Sequence, residues 1–470
     1  MRLVNSRSFR WPPAIDGSAD RISAKGTTPS PSPTDTLKQR VVEGVDGHAD
    51  EIVRISRQIL SHPETGFKEV KTSALVTEVL RGMSLETRDG IAITGVRARL
   101  DGGMPGPNVV VLGELDSNLM PDHPLADPET GAAHACGHHC QIGGMLGVAF
   151  ALQASGVMAD LAGSVTFFAV PAEEYLELEW RLKLRDEGKI EYLGGKPELI
   201  RLGELDDADF CMLTHTTPDE PSFTIGKTNN GMLGKMIRFR GVAAHAGGAP
   251  HLGVNALNAA EVALAAIHAQ RDTFKDEDLI RIHPIITRGG SVVNAVPHDV
   301  RMETYVRGSN VPAIMDANEK VDRSLRAGAM ALGGSVEIAT APGYLPFREC
   351  APLADLWTAN AEKLVGRDEV GHGGHSGGST DMGDLSHIMA TIQPYASGAT
   401  GRGHSENYMV EDYEKAVVNP AKAMAMTVVD LLANGAESGA KVLDAFVPEM
   451  TRESYLETMS ALFTTKTYTE

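Results

Sequence analysis

The hydrophobic pattern between residues 235 and 342 constrains the fold of this chain more than any other feature. Ile237 and Phe239 alternate with Arg238 and Arg240, which is typical of a strand with one buried face. The expected elements are strands near 237–239, 279–286, 300–306 and 336–338, and helices near 257–267 and 314–325. This β-α-β-β-α-β order predicts an antiparallel sheet with helices on one face and the other face free for a partner subunit.

The sequence on both sides of this unit is predicted to form one larger domain. Strand and helix patterns alternate before residue 235, which indicates an α/β architecture, and sequence rich in Gly, His and Asp resumes after Gly343. The ferredoxin-like βαββαβ unit is therefore expected to be an insertion. The predicted divisions are a poorly ordered tail at 1–36, the larger domain at 37–234 and 343–440, the inserted unit at 235–342 and a C-terminal extension at 441–470.

The composition argues against several classes of partner. The chain has 43 Lys and Arg against 62 Asp and Glu, a net charge of −19, which disfavours nucleic acid and anionic membranes. Apolar runs such as 145–152 are too short to cross a bilayer. Four Cys residues exclude a disulfide scaffold, and the Pro-interrupted N-terminus does not read as a secretory signal, so we expect a cytoplasmic protein.

Residue types that bind metals occur at predicted strand ends and in Gly-rich turns. They lie in His134-Ala135-Cys136-Gly137-His138-His139-Cys140, Pro171-Ala172-Glu173-Glu174, Thr214-His215-Thr216 and Gly401-Arg402-Gly403-His404-Ser405. Thiolate, imidazole and carboxylate together are a ligand set for Zn²⁺ or Mn²⁺. The ends of strands in an α/β sheet converge on one crevice, so the pattern predicts a divalent metal site there.

The adjacent carboxylates Glu173 and Glu174 suit hydrolysis. One can bind a metal while the other takes a proton from a water whose pKa the metal has lowered. Taken singly, each cluster has a simpler interpretation: a solvated turn, half of a structural zinc site, or a redox pair of Cys136 and Cys140. The sequence offers no second Cys pair and no C-x-x-C spacing, so the joint pattern favours catalysis.

A series of short motifs in fixed order adds a family resemblance. They are His62-Pro63-Glu64-Thr65-Gly66, Gly113-Glu114-Leu115-Asp116, His134-Ala135-Cys136-Gly137-His138, Pro171-Ala172-Glu173-Glu174, Ala243-Ala244-His245-Ala246-Gly247, Gly289-Gly290, Asn294-Ala295-Val296-Pro297, Gly378-Ser379-Thr380-Asp381 and His404. Over residues 45–435 the chain resembles the aminoacylase/carboxypeptidase family of metal-dependent amidohydrolases, and within it the p-aminobenzoyl-glutamate hydrolase branch. The resemblance implies a mixed-sheet metallohydrolase domain with an inserted lid and dimerisation domain.

The resemblance also implies roles for individual residues of the metal site. Residues that match metal ligands are Cys136, His138, Glu174, His215 and His404, with Cys136 shared between ions. Glu173 matches the general base, and Asp116 is expected to orient a ligand without touching the metal.

On the substrate side, the resemblance implies that His245 stabilises the oxyanion in the active site of the partner protomer. Asn294 and Arg307 are similar to positions that contact substrate, and Arg307 suits a carboxylate. The chain departs from the family after His138, where Asp or Asn is usual and His139 stands instead. We expect His139, and His375 in the Gly- and His-rich segment 371–378, to line the substrate site.

The resemblance leads to a metal-dependent hydrolase that cleaves an amide of a small carboxylated substrate, an aryl or acyl amino acid, with one or two Mn²⁺ or Zn²⁺ ions per subunit. The alternatives are a hydrolytic deaminase of an electron-poor aromatic amine, such as a nitro-substituted aminobenzoate, and an inactive relative that only binds. We expect a homodimer, or a dimer of dimers, formed through the lid domain.

Overall fold

The fold is given by a computed structural model, which describes residues 32–469. Most of the predicted tail, residues 1–31, lies outside the described residues. Its last part is not a tail: helix α1 begins at Pro33, because Ser32 Oγ accepts a hydrogen bond from the Asp35 amide and Pro33 occupies the first turn.

The first part of the larger domain contains six helices and ten strands. These are α1 Pro33–Asp46, α2 Ala49–Leu60, α3 Val70–Gly82, β1 Glu86–Ile91, β2 Gly95–Asp101, β3 Met104–Glu114, β4 Asn118–Leu119, β5 Ala132–Ala133, α4 His138–Ser155, β6 Ala162–Val170, α5 Leu178–Asp186, α6 Gly195–Leu202, β7 Phe210–Met212, β8 His215–Thr216, β9 Phe223–Ile225 and β10 Thr228–Asn229.

The lid and the rest of the larger domain follow. The lid comprises β11 Gly231–Arg240, α7 Ala256–Ala269, β12 Arg281–Ile282, β13 Ile285–Arg288, β14 Asp299–Gly308, α8 Val311–Leu332 and β15 Ser335–Pro342. After it come α9 Ala351–Val365, β16 Val370–His372, β17 His375–Ser376, α10 Met382–Ser386, β18 Ala390–Ile392, β19 Tyr395–Ala396, β20 Ala399–Thr400, β21 Met409–Val410, α11 Asn419–Ala445, α12 Arg452–Ala461 and β22 Thr464–Thr469.

A six-stranded mixed sheet forms the centre of the larger domain. Its strand order is β1-β2-β6-β3-β7-β18, in which β6, β3, β7 and β18 run parallel and β1 and β2 are antiparallel. The parallel strands are almost entirely apolar, since helices such as α4 and α11 cover the sheet. The carboxyl ends of β3, β6 and β7 therefore meet at one edge, as expected for an α/β fold.

The lid is an antiparallel sheet of order β12-β14-β11-β15-β22, with β13 also paired to β14. The predicted single strand at 279–286 is interrupted: Pro284 cannot donate to the ladder, and two short strands flank His283 and Pro284. Helices α7 and α8 cover one face of the sheet. The other face is not free as predicted, because α5 packs on it and Tyr175 and Leu178 cluster with Met232.

The C-terminal extension connects both domains, which the sequence did not indicate. Tyr455 of α12 is buried in the larger domain, where its hydroxyl donates to Asp384 Oδ1 (2.9 Å). Strand β22 then pairs antiparallel with β15 of the lid over six residues, from Thr464 opposite Thr340 to Thr469 opposite Ser335. The segment thus protects an edge of the lid sheet and ties it to the larger domain.

One helical segment of the described residues, Glu414–Ala445, is long and apolar enough to cross a membrane by length and composition. However, 89% of its most apolar window is buried inside the protein. A core helix passes the same test, and this one packs against α4, α9 and β3.

Candidate metal centre and substrate cavity

The elements of the larger domain bring the predicted metal ligands to the carboxyl edge of the mixed sheet. Glu173 and Glu174 follow β6, and His215 follows β7. Cys136 and His138 flank the start of α4, where Gly137 has a φ of 86°, and a Cβ on Gly137 would lie 2.6 Å from Tyr408 Oη. Only glycine fits this close turn without strain.

Five predicted ligands form two groups that share one thiol. Cys136 Sγ lies 3.3 Å from His215 Nε2 and 3.2 Å from His404 Nε2, and His404 Nε2 lies 3.2 Å from Glu174 Oε1. Donor atoms of Cys136, His138 and His215 lie within 4.8 Å of one another, as do those of Cys136, Glu174 and His404. The geometry therefore offers two three-donor sites around Cys136.

Asp116 orients both groups from beneath. Its backbone oxygen and Oδ1 lie 3.0 Å and 3.2 Å from His138 Nδ1, and its Oδ2 accepts from the Glu174 amide (2.8 Å). A carbonyl only accepts, so Nδ1 of His138 carries the proton and Nε2 presents a lone pair. This arrangement, with a carboxylate behind a histidine, is what metal-binding histidines ordinarily require.

The electrostatics of the donors fit a cation. Burial raises the pKa of the Cys136 thiol, but His215 and His404 outweigh it and lower that pKa to about 5. Burial likewise opposes ionisation of Glu174, and His404 reverses this and lowers its pKa. His138 Nε2 and Glu174 Oε1 are buried and make no hydrogen bond within residues 32–469. Ionised donors with free lone pairs suit a divalent metal.

Glu173 differs from its neighbour. Burial raises its pKa well above the ordinary value for a glutamate, and the nearby Glu114 and Glu174 raise it further. Its Oε2 lies 3.9 Å from His138 Nε2, and its side chain lines the cavity above the two donor groups. A carboxyl that holds a proton easily, close to a metal site, is suited to take and return one.

A cavity of about 350 Å³ opens over the donors. Tyr175, Tyr305 and Tyr344 form one part of its wall, and each hydroxyl donates to a backbone carbonyl: Tyr175 to Pro342 (2.6 Å), Tyr305 to Tyr175 and Tyr344 to Glu173. The hydroxyls are thus satisfied inside the protein, and the three rings provide an aromatic surface.

Arg307 is the cation at this cavity. It extends from lid strand β14, stacks over the Tyr305 ring at 5.1 Å and donates from Nη1 to Ser379 Oγ (3.1 Å). No carboxylate of residues 32–469 forms an ion pair with it. A half-buried guanidinium with spare donors is a ready partner for a ligand carboxylate.

The structure does not bring every predicted residue to the cavity. His139 is fully buried beside His134 and Tyr413 and does not line the cavity, because it lies on the α4 surface turned towards the core. Its assignment to the substrate side does not fit this position. His375 is exposed and bonds to Thr228 and Asn230, next to the cavity residue Ser376.

His245 and Asn294 also lie away from the cavity of their own subunit. Both are exposed on the lid, where the Ala246 amide donates to the Asn294 carbonyl. His245 Nδ1 accepts from the amides of Gly247 (3.2 Å) and Gly248 (2.9 Å), so its Nε2 carries the proton. The imidazole therefore presents a donor to the outside.

Three buried charges of the site were not assigned from the sequence. Lys196 Nζ donates to Glu114 Oε1 (2.6 Å) and to Asp381 Oδ1, and Glu114 Oε2 lies 3.1 Å from His138 Nε2. Glu114 and Asp381 stand in motifs quoted above, so a signal existed for both. Lys196 carried none, since a lysine at the start of a helix is normally solvated.

Comparison with known proteins identifies the family. The model of peptidase family M20/M25/M40 matches residues 110–425. The chain belongs to this family. It is therefore a metal-dependent hydrolase acting on amide- or peptide-type carbon–nitrogen bonds of small substrates, and the family resemblance and fold class predicted from the sequence are confirmed.

Relatives and solved structures agree with this membership. The chain is 27% identical to the Xaa-Arg dipeptidase of Mus musculus over 88% of this chain and 93% of the relative. It is 28% identical to a p-aminobenzoyl-glutamate hydrolase homolog of Haemophilus influenzae, over 48% and 51%. A dinuclear metal-binding M20 peptidase from Bacillus subtilis has the same fold, with a TM-score of 0.60 at 21% identity, over 82% of this chain and 99% of that one.

The shared thiol leads to a prediction about metal retention. Replacement of Cys136 by Ser removes a donor from both groups, so we expect the purified variant to keep less metal than wild type, at both positions. Cys350→Ser changes a buried thiol on the far side of the domain and is the matched control. Metal content after desalting, measured by plasma mass spectrometry, checks this; equal content in the two variants would refute the assignment of Cys136.

Proposed function

We propose that this enzyme hydrolyses the amide bond of a small substrate that carries a carboxylate on an aryl or acyl amino acid. Arg307 carries the proposal, because it places a cation without an acidic partner at a cavity that also contains Glu173. The tyrosine rings beside it favour a planar or apolar group next to the carboxylate. The p-aminobenzoyl-glutamate hydrolase homolog among the relatives is named for a substrate of this type.

Two Mn²⁺ or Zn²⁺ ions fit the two donor groups. Cys136, His138 and His215 would hold one ion, and Cys136, Glu174 and His404 the other. When bound, the ions supply Lewis acidity that lowers the pKa of water and polarises the substrate carbonyl. The donor chemistry fits both metals, because imidazole and thiolate suit Zn²⁺ while carboxylate suits Mn²⁺.

The remaining steps belong to protein side chains. Arg307 binds the carboxylate and orients the substrate so that its amide lies over the donor groups. Glu173 takes a proton from the attacking water and returns it to the leaving nitrogen, for which its raised pKa suits it. The aromatic wall excludes bulk water from the amide.

A substrate screen tests the proposal. Metal-loaded enzyme is incubated with aryl-glutamates, acyl-amino acids and aminobenzoates, and mass spectrometry identifies the products. Acid plus amine supports the proposal. A phenol plus ammonia from an aminobenzoate would replace it by an aromatic aminohydrolase, and no turnover of any substrate by protein that holds metal would favour a binding function.

Glu173 and its neighbour should separate in mutants. We expect Glu173→Gln to lower kcat by about 10²–10⁴-fold, as loss of a general base does, while metal content stays near that of wild type. Glu174→Gln, the matched control, should lose metal, because Glu174 is a donor. Loss of metal from the Glu173 variant would instead make Glu173 a ligand.

Arg307 should act on substrate binding. A charge-assisted hydrogen bond contributes about 1.5–3 kcal/mol, so Arg307→Met is expected to raise KM roughly 10- to 150-fold for a carboxylated substrate. The same variant should change KM little for the corresponding primary carboxamide, which lacks the charge. An equal rise for both substrates would show that Arg307 does not recognise the carboxylate.

We further propose that the enzyme is a homodimer in which His245 completes the site of the partner subunit. His245 presents an N–H donor on the exposed side of the lid, away from its own cavity. The apolar side chains of Val242, Leu252 and Val293 are exposed on the lid, with Val293 101% exposed. Such a surface is suited to association with a second copy of this chain.

Subunit mixing tests the dimer. His245→Ala and Glu173→Gln are each expected to be nearly inactive alone, since loss of an oxyanion donor costs roughly 10²–10³-fold in kcat. After exchange, mixed dimers contain one site with both residues intact, so activity should return. A fully active monomer, or no recovery although exchange is demonstrated by mass spectrometry, would contradict the proposal.

A further inference from the structure

His138 belongs to a third group of donors besides the one it shares with Cys136. Ligand atoms of Glu114, His138 and Glu173 lie within 4.8 Å of one another, and all three residues are buried. Glu114 is at the end of β3, 1% exposed, and its Oε2 lies 3.1 Å from His138 Nε2. This short contact needs a physical explanation.

The contact between Glu114 and His138 is not a hydrogen bond. His138 Nδ1 faces the Asp116 carbonyl and carries the proton, and His138 Nε2 has no hydrogen-bond partner in the described chain. A lone pair on Nε2 therefore faces a carboxylate oxygen at 3.1 Å, which is repulsive in a buried site unless a cation lies between them. Two donors on one Zn²⁺, each at about 2.1 Å, are roughly 3.0–3.4 Å apart.

The surroundings of Glu114 keep its carboxylate charged and fixed. Lys196 Nζ donates to Oε1 (2.6 Å), and Gln141 Nε2 donates to Oε2 (2.8 Å), which leaves Oε2 a second lone pair. Burial raises the pKa of Glu114, but Lys196 and His138 outweigh it and lower that pKa to about 2. Lys196 is itself fully buried and held by Asp381.

We propose that Glu114 is a ligand of the metal ion bound at His138, in addition to Cys136 and His215, and that Lys196 is a positioning residue that fixes it there. The proposal rests on the metal site of the proposed function and adds an oxygen donor to a thiolate and two imidazoles. A fourth protein donor would hold this ion more tightly than the ion at Glu174 and His404. The added carboxylate also raises the relative affinity for Mn²⁺.

A structure with Zn²⁺ gives the direct test. Crystals of the wild-type protein are soaked in ZnCl₂, and anomalous diffraction at the zinc edge locates the ions. We expect one ion to lie roughly 2.0–2.2 Å from Glu114 Oε2, the ordinary zinc–carboxylate distance. An ion at His138 that is more than about 3 Å from Glu114 Oε2 would overturn the proposal.

Calorimetric titration with MnCl₂ and ZnCl₂ supplies a readout in solution. Glu114→Gln keeps the size of the side chain and should weaken one ion at least tenfold while the other is unchanged. Glu198→Gln removes a buried carboxylate on the same helix as Lys196, where it binds Arg201, and should titrate like wild type. If Glu114→Gln does not fold, Glu114→Asp retains the charge but withdraws the oxygen, and should weaken the same ion.

Wild-type affinity for both ions in a folded Glu114→Gln or Glu114→Asp variant would refute the role of Glu114. These measurements record ion binding and need no substrate. A metal-loaded wild type that hydrolyses none of the screened substrates would therefore contradict the proposed function and not the ligand assignment.

Discussion

The burial of several acidic groups around one histidine is the constraint on which the rest of this structure depends. Glu114, Asp116, Glu174 and Asp381 are all nearly inaccessible, and His138 lies among them. An unpaired carboxylate in the interior costs several kcal/mol, so the fold must provide cations or donors for each. Lys196 neutralises part of this charge, and Asp116 is satisfied by the Glu174 amide. The remaining negative charge faces the cavity, where divalent metals complete the balance.

The same constraint explains why the catalytic carboxylates behave differently although they are adjacent in sequence. Glu174 faces His404 and stays ionised, whereas Glu173 faces Glu114 and holds a proton more strongly. The turn that separates them is fixed at its start, since the buried Glu69 accepts from the Ala172 amide, a residue with a φ of 53°. Two neighbouring residues thus receive opposite roles from their surroundings, a ligand and a base.

The sequence predicted the fold and the metal donors well because both depend on local patterns. Strand periodicity located the ends of β3 and β6, and Cys136, Glu174, His215 and His404 follow from residue type and family motifs. Lys196 and strand β22 were missed for a physical reason: each is defined by a partner far along the chain. Lys196 is buried only because Glu114 and Asp381 surround it, and Thr464–Thr469 has a polar pattern that becomes a strand only beside β15. His139 misled because its motif position does not reveal which side of α4 it occupies.

The lid is part of the active-site scaffold and not a separate cover. Tyr305 and Arg307 come from β14, and Tyr344 follows β15, yet the hydroxyls of both tyrosines donate to carbonyls of the segment that carries Glu173. The base, the aromatic wall and the cation are therefore held by one hydrogen-bonded unit that spans both domains. Because β22 attaches the outer edge of the lid sheet to a segment anchored by Tyr455, a rotation of the lid would have to move α12 or break the pairing with β15. The position of Arg307 relative to the metal donors is thus fixed from both sides of the lid, which favours a substrate of one length between its carboxylate and its amide.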